Sequence, residues 1–131
     1  MQVLRVKKIE EFIKRFGEFG DALVREIRIV YYRNAQPTTV ELTLTVLDSE
    51  RLPGDYCVDL HLRVCDVSKF SFNEGPPTWQ IVSEGEITAN GGELTINLDL
   101  PSESPPDGVL SSKFFVTGSR IEWELTEITG A

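Results

Sequence analysis

Thr39-Val40-Glu41-Leu42-Thr43-Leu44-Thr45-Val46 and Cys57-Val58-Asp59-Leu60-His61-Leu62-Arg63-Val64-Cys65 are the two stretches that decide the fold. In both, an aliphatic residue takes every second position, with a polar residue or a cysteine between. A strand turns successive side chains to opposite faces, whereas a helix needs its apolar residues three and four apart. Both stretches therefore read as strands with one face on a core and one toward water.

The same period runs outward on both sides. Ile27, Ile29 and Tyr31 alternate in a strand expected over residues 22–33, and Arg33-Asn34-Ala35-Gln36-Pro37 reads as a turn. Residues 49–55, with Pro53-Gly54, form the next break. Phe70 and Phe72 mark a short strand that ends at residues 73–77, and Trp79, Ile81 and Val82 begin another. Ile87 and Ala89 lead into Asn90-Gly91-Gly92, a tight-hairpin signal, and Leu94, Ile96, Leu98 and Leu100 return from it. Phe114-Phe115-Val116 and Ile121, Trp123, Leu125 form the last two strands, with Gly118-Ser119 read as a two-residue turn joining them. Trp123 is in phase with Ile121 and Leu125 and is expected in the core. Residues 101–108, with three prolines, make the longest loop, a candidate lid.

Only the N-terminus breaks the period. Ile9, Phe12, Ile13 and Phe16 fall at i, i+3, i+4 and i+7, a helical stripe, and predict a helix over about residues 6–17. Gly17 and Gly20 suit its end, Phe19 covers the exit, and no Ser, Thr, Asp or Asn caps its start. The expected fold is mainly β: an antiparallel sandwich or partly open barrel of about eight or nine strands, with one N-terminal helix laid on a sheet face or a barrel end. At 131 residues it is one domain, residues 1–131, with the β-rich body over about 22–128.

Composition narrows the function class. No apolar run approaches the ~18 residues of a membrane-spanning helix, and the first ten residues do not read as a signal peptide. The expected location is the cytoplasm, where Cys57 and Cys65 are reduced. Eight residues of strand between them span about 26 Å, too far for one disulfide. Net charge is −8, and the imbalance lies after residue 65, where only Lys69, Lys113 and Arg120 stand against eleven carboxylates. Such a surface repels phosphate backbones and argues against nucleic acid, while a basic protein remains a suitable partner. Acidity also serves plain solubility.

Few residues carry specific chemistry. Cys57, Asp59, His61, Arg63 and Cys65 share one strand face, on which Asp59 and His61 stand about 7 Å apart and would share an ion with help from another strand. The simpler reading is the polar face of an amphipathic strand, and we assign no metal and no cofactor. His61 is the sole histidine and no nucleophile elbow is present, so a catalytic triad has little support. Glu84 with Glu86 and Glu122 with Glu124 are paired carboxylates of the kind glycosidases use, yet alternate glutamates on a strand are commonly a solvated face. Phe114 and Phe115 must face opposite ways, so both sheet faces are covered there or one ring is exposed. The expected contact surface is acidic, with Glu84, Glu86, Glu122 and Glu124, and with Phe115 as an exposed aromatic.

The segment from Phe16 to Ile27, FGEFGDALVREI, resembles the helix-to-strand entry of small bacterial all-β proteins that include immunity protein family 50 of polymorphic toxin systems. Val58 to Val64, Phe70-x-Phe72 and Ile121-Glu122-Trp123-Glu124 are similar to theirs in order and spacing, and Gly20 stands where those proteins usually carry His. The resemblance implies a cytoplasmic protein that neutralises a toxin by binding it. The sequence thus points to a non-catalytic protein-binding module. The alternatives are a small-ligand-binding β-domain with a pocket under residues 101–108, a carboxylate-based enzyme, or a structural subunit of an assembly.

Overall fold

The computed structural model describes residues 1–31, 38–50, 57–72, 82, 84–98 and 114–127. Nine strands among them form two antiparallel sheets: β1 (Gln2–Val3), β2 (Leu23–Val30), β3 (Thr39–Leu47), β4 (Cys57–Cys65), β5 (Lys69–Phe72), β6 (Glu86–Asn90), β7 (Glu93–Asn97), β8 (Phe114–Gly118) and β9 (Arg120–Glu127). The first sheet has the order β1-β9-β4-β3-β2 and the second β5-β8-β7-β6. Neither closes on itself, so the architecture is a sandwich. No helix among the described residues is long and apolar enough to cross a membrane.

The alternation read from the sequence is the alternation of burial. Val40, Leu42 and Leu44 of β3 pair with Val64, Leu62 and Leu60 of β4, and all six are essentially inaccessible. Ile121 continues this layer onto β9, while Leu94, Ile96 and Val116 supply it from the second sheet. The Asn90↔Glu93 pair closes the β6–β7 hairpin over Gly91-Gly92, both at positive φ, as a two-residue turn of this type requires. Cys57 and Cys65 are free thiols at opposite ends of β4.

Three expectations are corrected. The helix α1 spans Ile9–Arg15, shorter than residues 6–17, between a 3-10 turn at Val6–Lys8 and a left-handed turn at Gly17–Phe19. With Gly17, Glu18 and Phe19 all at positive φ, the chain reverses hard enough to drive Phe19 into the core, where it is fully buried. Among the described residues, the strand expected over residues 22–33 runs over Leu23–Val30, and a bulge interrupts it between Val24 and Glu26.

The third correction changes the topology. Gly118-Ser119 does not turn a hairpin: β8 pairs with β5 and β7, and β9 pairs with β4 and β1. The chain crosses from one sheet to the other at this point. The Ser119 N–H donates to the Cys65 carbonyl (2.9 Å), and Gly118 lies so close to Val64 and Cys65 that a Cβ would collide with the Cys65 carbonyl oxygen. A short Gly-containing link serves a sandwich corner as well as a hairpin, so the local pattern did not separate them.

Helix α1 closes one side of the sandwich between the sheets. Phe12 meets Trp123 of β9 edge-on (centroids 5.1 Å) and Phe16 also in T-shaped geometry (5.0 Å), while the Glu18 carbonyl accepts from Gly85 just before β6. Trp123 is half-buried under the helix. Residues 32–37, 51–56, 73–81, 83, 99–113 and 128–131 lie outside the described residues, whereas Val82 is described and buried. The expected turn at 33–37, most of the break at 49–55, the Trp79 strand start and the candidate lid at 101–108 fall there.

Candidate functional site

Because β3, β4 and β9 pack their aliphatic faces inward, their other faces form one polar surface. Register sets its rows. In the first, Glu122, Arg63, Glu41 and Arg28 lie side by side across β9, β4, β3 and β2. They form an alternating ladder: Arg63 Nη1 lies 3.5 Å from Glu122, Arg63 Nε 3.4 Å from Glu41, and Arg28 4.0 Å from Glu41. Arg120 adds a contact to Glu122 at 3.3 Å. Each such exposed pair is worth little to stability, under about 1 kcal/mol, but opposed charges on neighbouring strands favour this register over any slipped one.

The second row is Glu124, His61, Thr43 and Glu26. His61 is held at both ring nitrogens, Nδ1 at 3.2 Å from the Thr43 hydroxyl and Nε2 at 2.7 Å from the Thr126 hydroxyl. In the third row the Thr45 hydroxyl donates to Asp59 (2.7 Å). Asp59 and His61 thus share a face, as the alternation requires, but each is engaged by threonines. Among the described residues no three of His, Cys, Asp and Glu come together as a metal site. Among the described residues Glu26 and Glu124 make no ion pair, and both are exposed. At about 4.8 Å per strand, these two carboxylates stand on the order of 14 Å apart, with His61 and Thr43 between.

Cys65 ends β4 beside this surface. It is buried, with its thiol directed at Glu122 Oε1 (3.8 Å). Burial, aided by that carboxylate and opposed by Arg120, raises its pKa and holds the thiol protonated, whereas Cys57 is exposed at the other end of the strand.

The residues expected to form one acidic contact surface are divided by the sandwich. Glu122 and Glu124 lie on the outer face of the five-stranded sheet. Glu86 and Phe115 lie on the outer face of the other sheet, in a row with Asn97 between them. Phe115 is half-buried beside Ser71, and Phe114 turns inward onto Phe72 (centroids 5.2 Å). Glu84 is exposed just before β6. Conversely, Glu26 and Glu41 join Glu122 and Glu124, although neither stood out as a site residue. Strand alternation alone put Glu41 opposite Leu42; only the pairing order β9-β4-β3-β2 brings these carboxylates to one surface.

A separate open groove of about 760 Å³ runs between α1 and β1. Phe12 and Trp123 line it, with Arg5, Lys8, Arg15 and Glu50 around them. Arg15 is already committed: its Nε and Nη2 donate to the two oxygens of buried Asp48 at 2.9 Å each, and Glu50 lies 2.6 Å away. Compared with protein-family models, with curated proteins and with solved structures, the chain matches none of them.

Proposed function

We propose that the chain is a non-catalytic module that binds a basic protein through the outer face of its five-stranded sheet. The observation that carries this reading is the collection of Glu26, Glu41, Asp59, Glu122 and Glu124 on one sheet face, against three arginines, Arg28, Arg63 and Arg120. A rigid sheet holds these groups in place before contact, so binding pays little ordering entropy, and an excess of unpaired carboxylate steers a cationic partner toward it. An immunity protein acting in the cytoplasm on a basic toxin is the form of this reading that the resemblance favours. The acidity after residue 65 fits a basic target.

The test uses the product of a gene adjacent to this one that encodes a basic protein. Calorimetric titration should show binding that weakens as salt rises, and Glu122→Lys/Glu124→Lys should weaken it by about tenfold or more, as removal of steering and contact charges does. Glu84→Lys/Glu86→Lys, away from this surface, should change it little. Absence of binding at both low and physiological salt refutes the proposal.

The groove under Trp123 favours a second reading, small-ligand binding. Its aromatic lining, with Arg5, Lys8 and Arg15 set among Glu11 and Glu50, suits a planar polar compound. Saturable quenching of tryptophan fluorescence by such a compound, lost in Trp123→Phe, would support it.

A further inference from the structure

We propose that β2 is a self-complementary edge through which two copies of the chain pair, joining their five-stranded sheets across a twofold axis at Ile27. Strand β2 is the outermost strand of its sheet, and among the described residues no strand pairs with its far side. An edge of this kind presents a row of N–H and C=O groups that can receive another strand. Large apolar side chains are exposed along it: Leu23 at 37%, Ile27 at 38% and Tyr31 at 70%. Ile27 belongs by register to the core face, opposite Leu42, yet the second sheet does not cover it.

The sequence of β2 then selects both partner and register. In an antiparallel pair related by a twofold axis, residues on the same face must oppose each other, so the axis falls on a residue. Placed at Glu26 or at Arg28, it would set like charges directly opposite. Placed at Ile27, it sets Glu26 against the partner's Arg28 and Arg28 against the partner's Glu26, both on the outer face, and stacks Ile27 on the partner's Ile27 over the core face. Placed at Ile29, it would leave Arg28 against the partner's Val30 and pair no charges. The register centred on Ile27 is thus the one that satisfies the charges of residues 26–28 while covering their exposed isoleucine. The bulge at Val24/Glu26 confines regular pairing to the residues after it, where these charges lie. Such pairing would also place two of the acidic outer faces side by side, although it does not depend on what those faces bind.

The test is sedimentation velocity on the full chain over a range of concentrations. A concentration-dependent monomer–dimer equilibrium is expected. Glu26→Arg and Arg28→Glu should each weaken the dimer by about tenfold or more, and the double variant Glu26→Arg/Arg28→Glu, which reverses both pairs, should restore it. Circular dichroism matching the unsubstituted chain shows that the loss is not unfolding. Independently, Ile27→Cys in a Cys57→Ser/Cys65→Ser background should form a covalent dimer under mild oxidation, whereas Leu47→Cys in the same background should not. A chain that stays monomeric at every concentration overturns the proposal, as does a dimer indifferent to both single charge reversals.

Discussion

Replacing Asp48 with alanine should be among the most damaging single changes in this protein. Asp48 is wholly buried at the end of β3, and its carboxylate accepts from Arg15 Nε and Nη2 at 2.9 Å each and from the Glu50 N–H at 3.1 Å. The Arg15 guanidinium is also set over Phe16 and Trp123, 5.1 and 5.6 Å from their ring centroids, and the Arg15 carbonyl accepts from Ser49. Together these contacts fasten the short helix to the sheet. Breaking a buried pair by removing one partner costs about 3–5 kcal/mol, because the remaining charge loses its compensation. Here the low end applies, about 3 kcal/mol, since Arg15 keeps Glu50 at 2.6 Å and remains a quarter exposed. For a domain of this size that is a fall in Tm of roughly 10 °C. Asp48→Asn, which preserves volume and one acceptor, should lose about half as much. Urea unfolding of wild type, Arg15→Met, Asp48→Asn and the double variant gives the coupling directly, expected at 1 kcal/mol or more by the usual size of contacting-pair terms, about 0.5–3 kcal/mol. Because the pair is shielded, 1 M salt (Debye length about 3 Å) should leave most of it in place. A change within about 0.5 kcal/mol for Asp48→Ala, the range of ordinary surface substitutions, would refute the reasoning.

Three further outcomes follow from the described geometry. Alkylation followed by mass spectrometry should label Cys57 quickly and Cys65 slowly at mildly alkaline pH; equal rates would show that Cys65 is neither buried nor shifted. Since burial raises the Cys65 pKa above its unfolded value, its contribution to stability is complete below the ordinary thiol range and falls as pH rises through the folded pKa, so Cys65→Ala should flatten the alkaline limb of the stability–pH profile. Gly118→Ala should destabilise by about 2–3 kcal/mol through the clash with the Cys65 carbonyl, against about 1 kcal/mol for Gly91→Ala, where a positive φ is strained but space is open; comparable urea midpoints for the two would contradict this.

Side-chain period is a property of the backbone over a few residues, and it is what the sequence by itself determined. The apolar sets Val40–Val46 and Val58–Val64 point inward because a pleated chain has no other way to bury them together, and Gly91-Gly92 turns a hairpin because its φ values are positive. The stripe of Ile9, Phe12, Ile13 and Phe16 located the helix for the same reason, though not the left-handed turn that shortens it and buries Phe19. Sheet membership has no such local mark. Only tertiary pairing sent β8 and β9 to different sheets, left β2 at an edge with Ile27 exposed, gathered Glu26 and Glu41 beside Glu122 and Glu124, and put Glu86 and Phe115 on another face. Those outcomes depend on contacts between residues far apart in the chain, and alternation carries no term for which strand lies next to which.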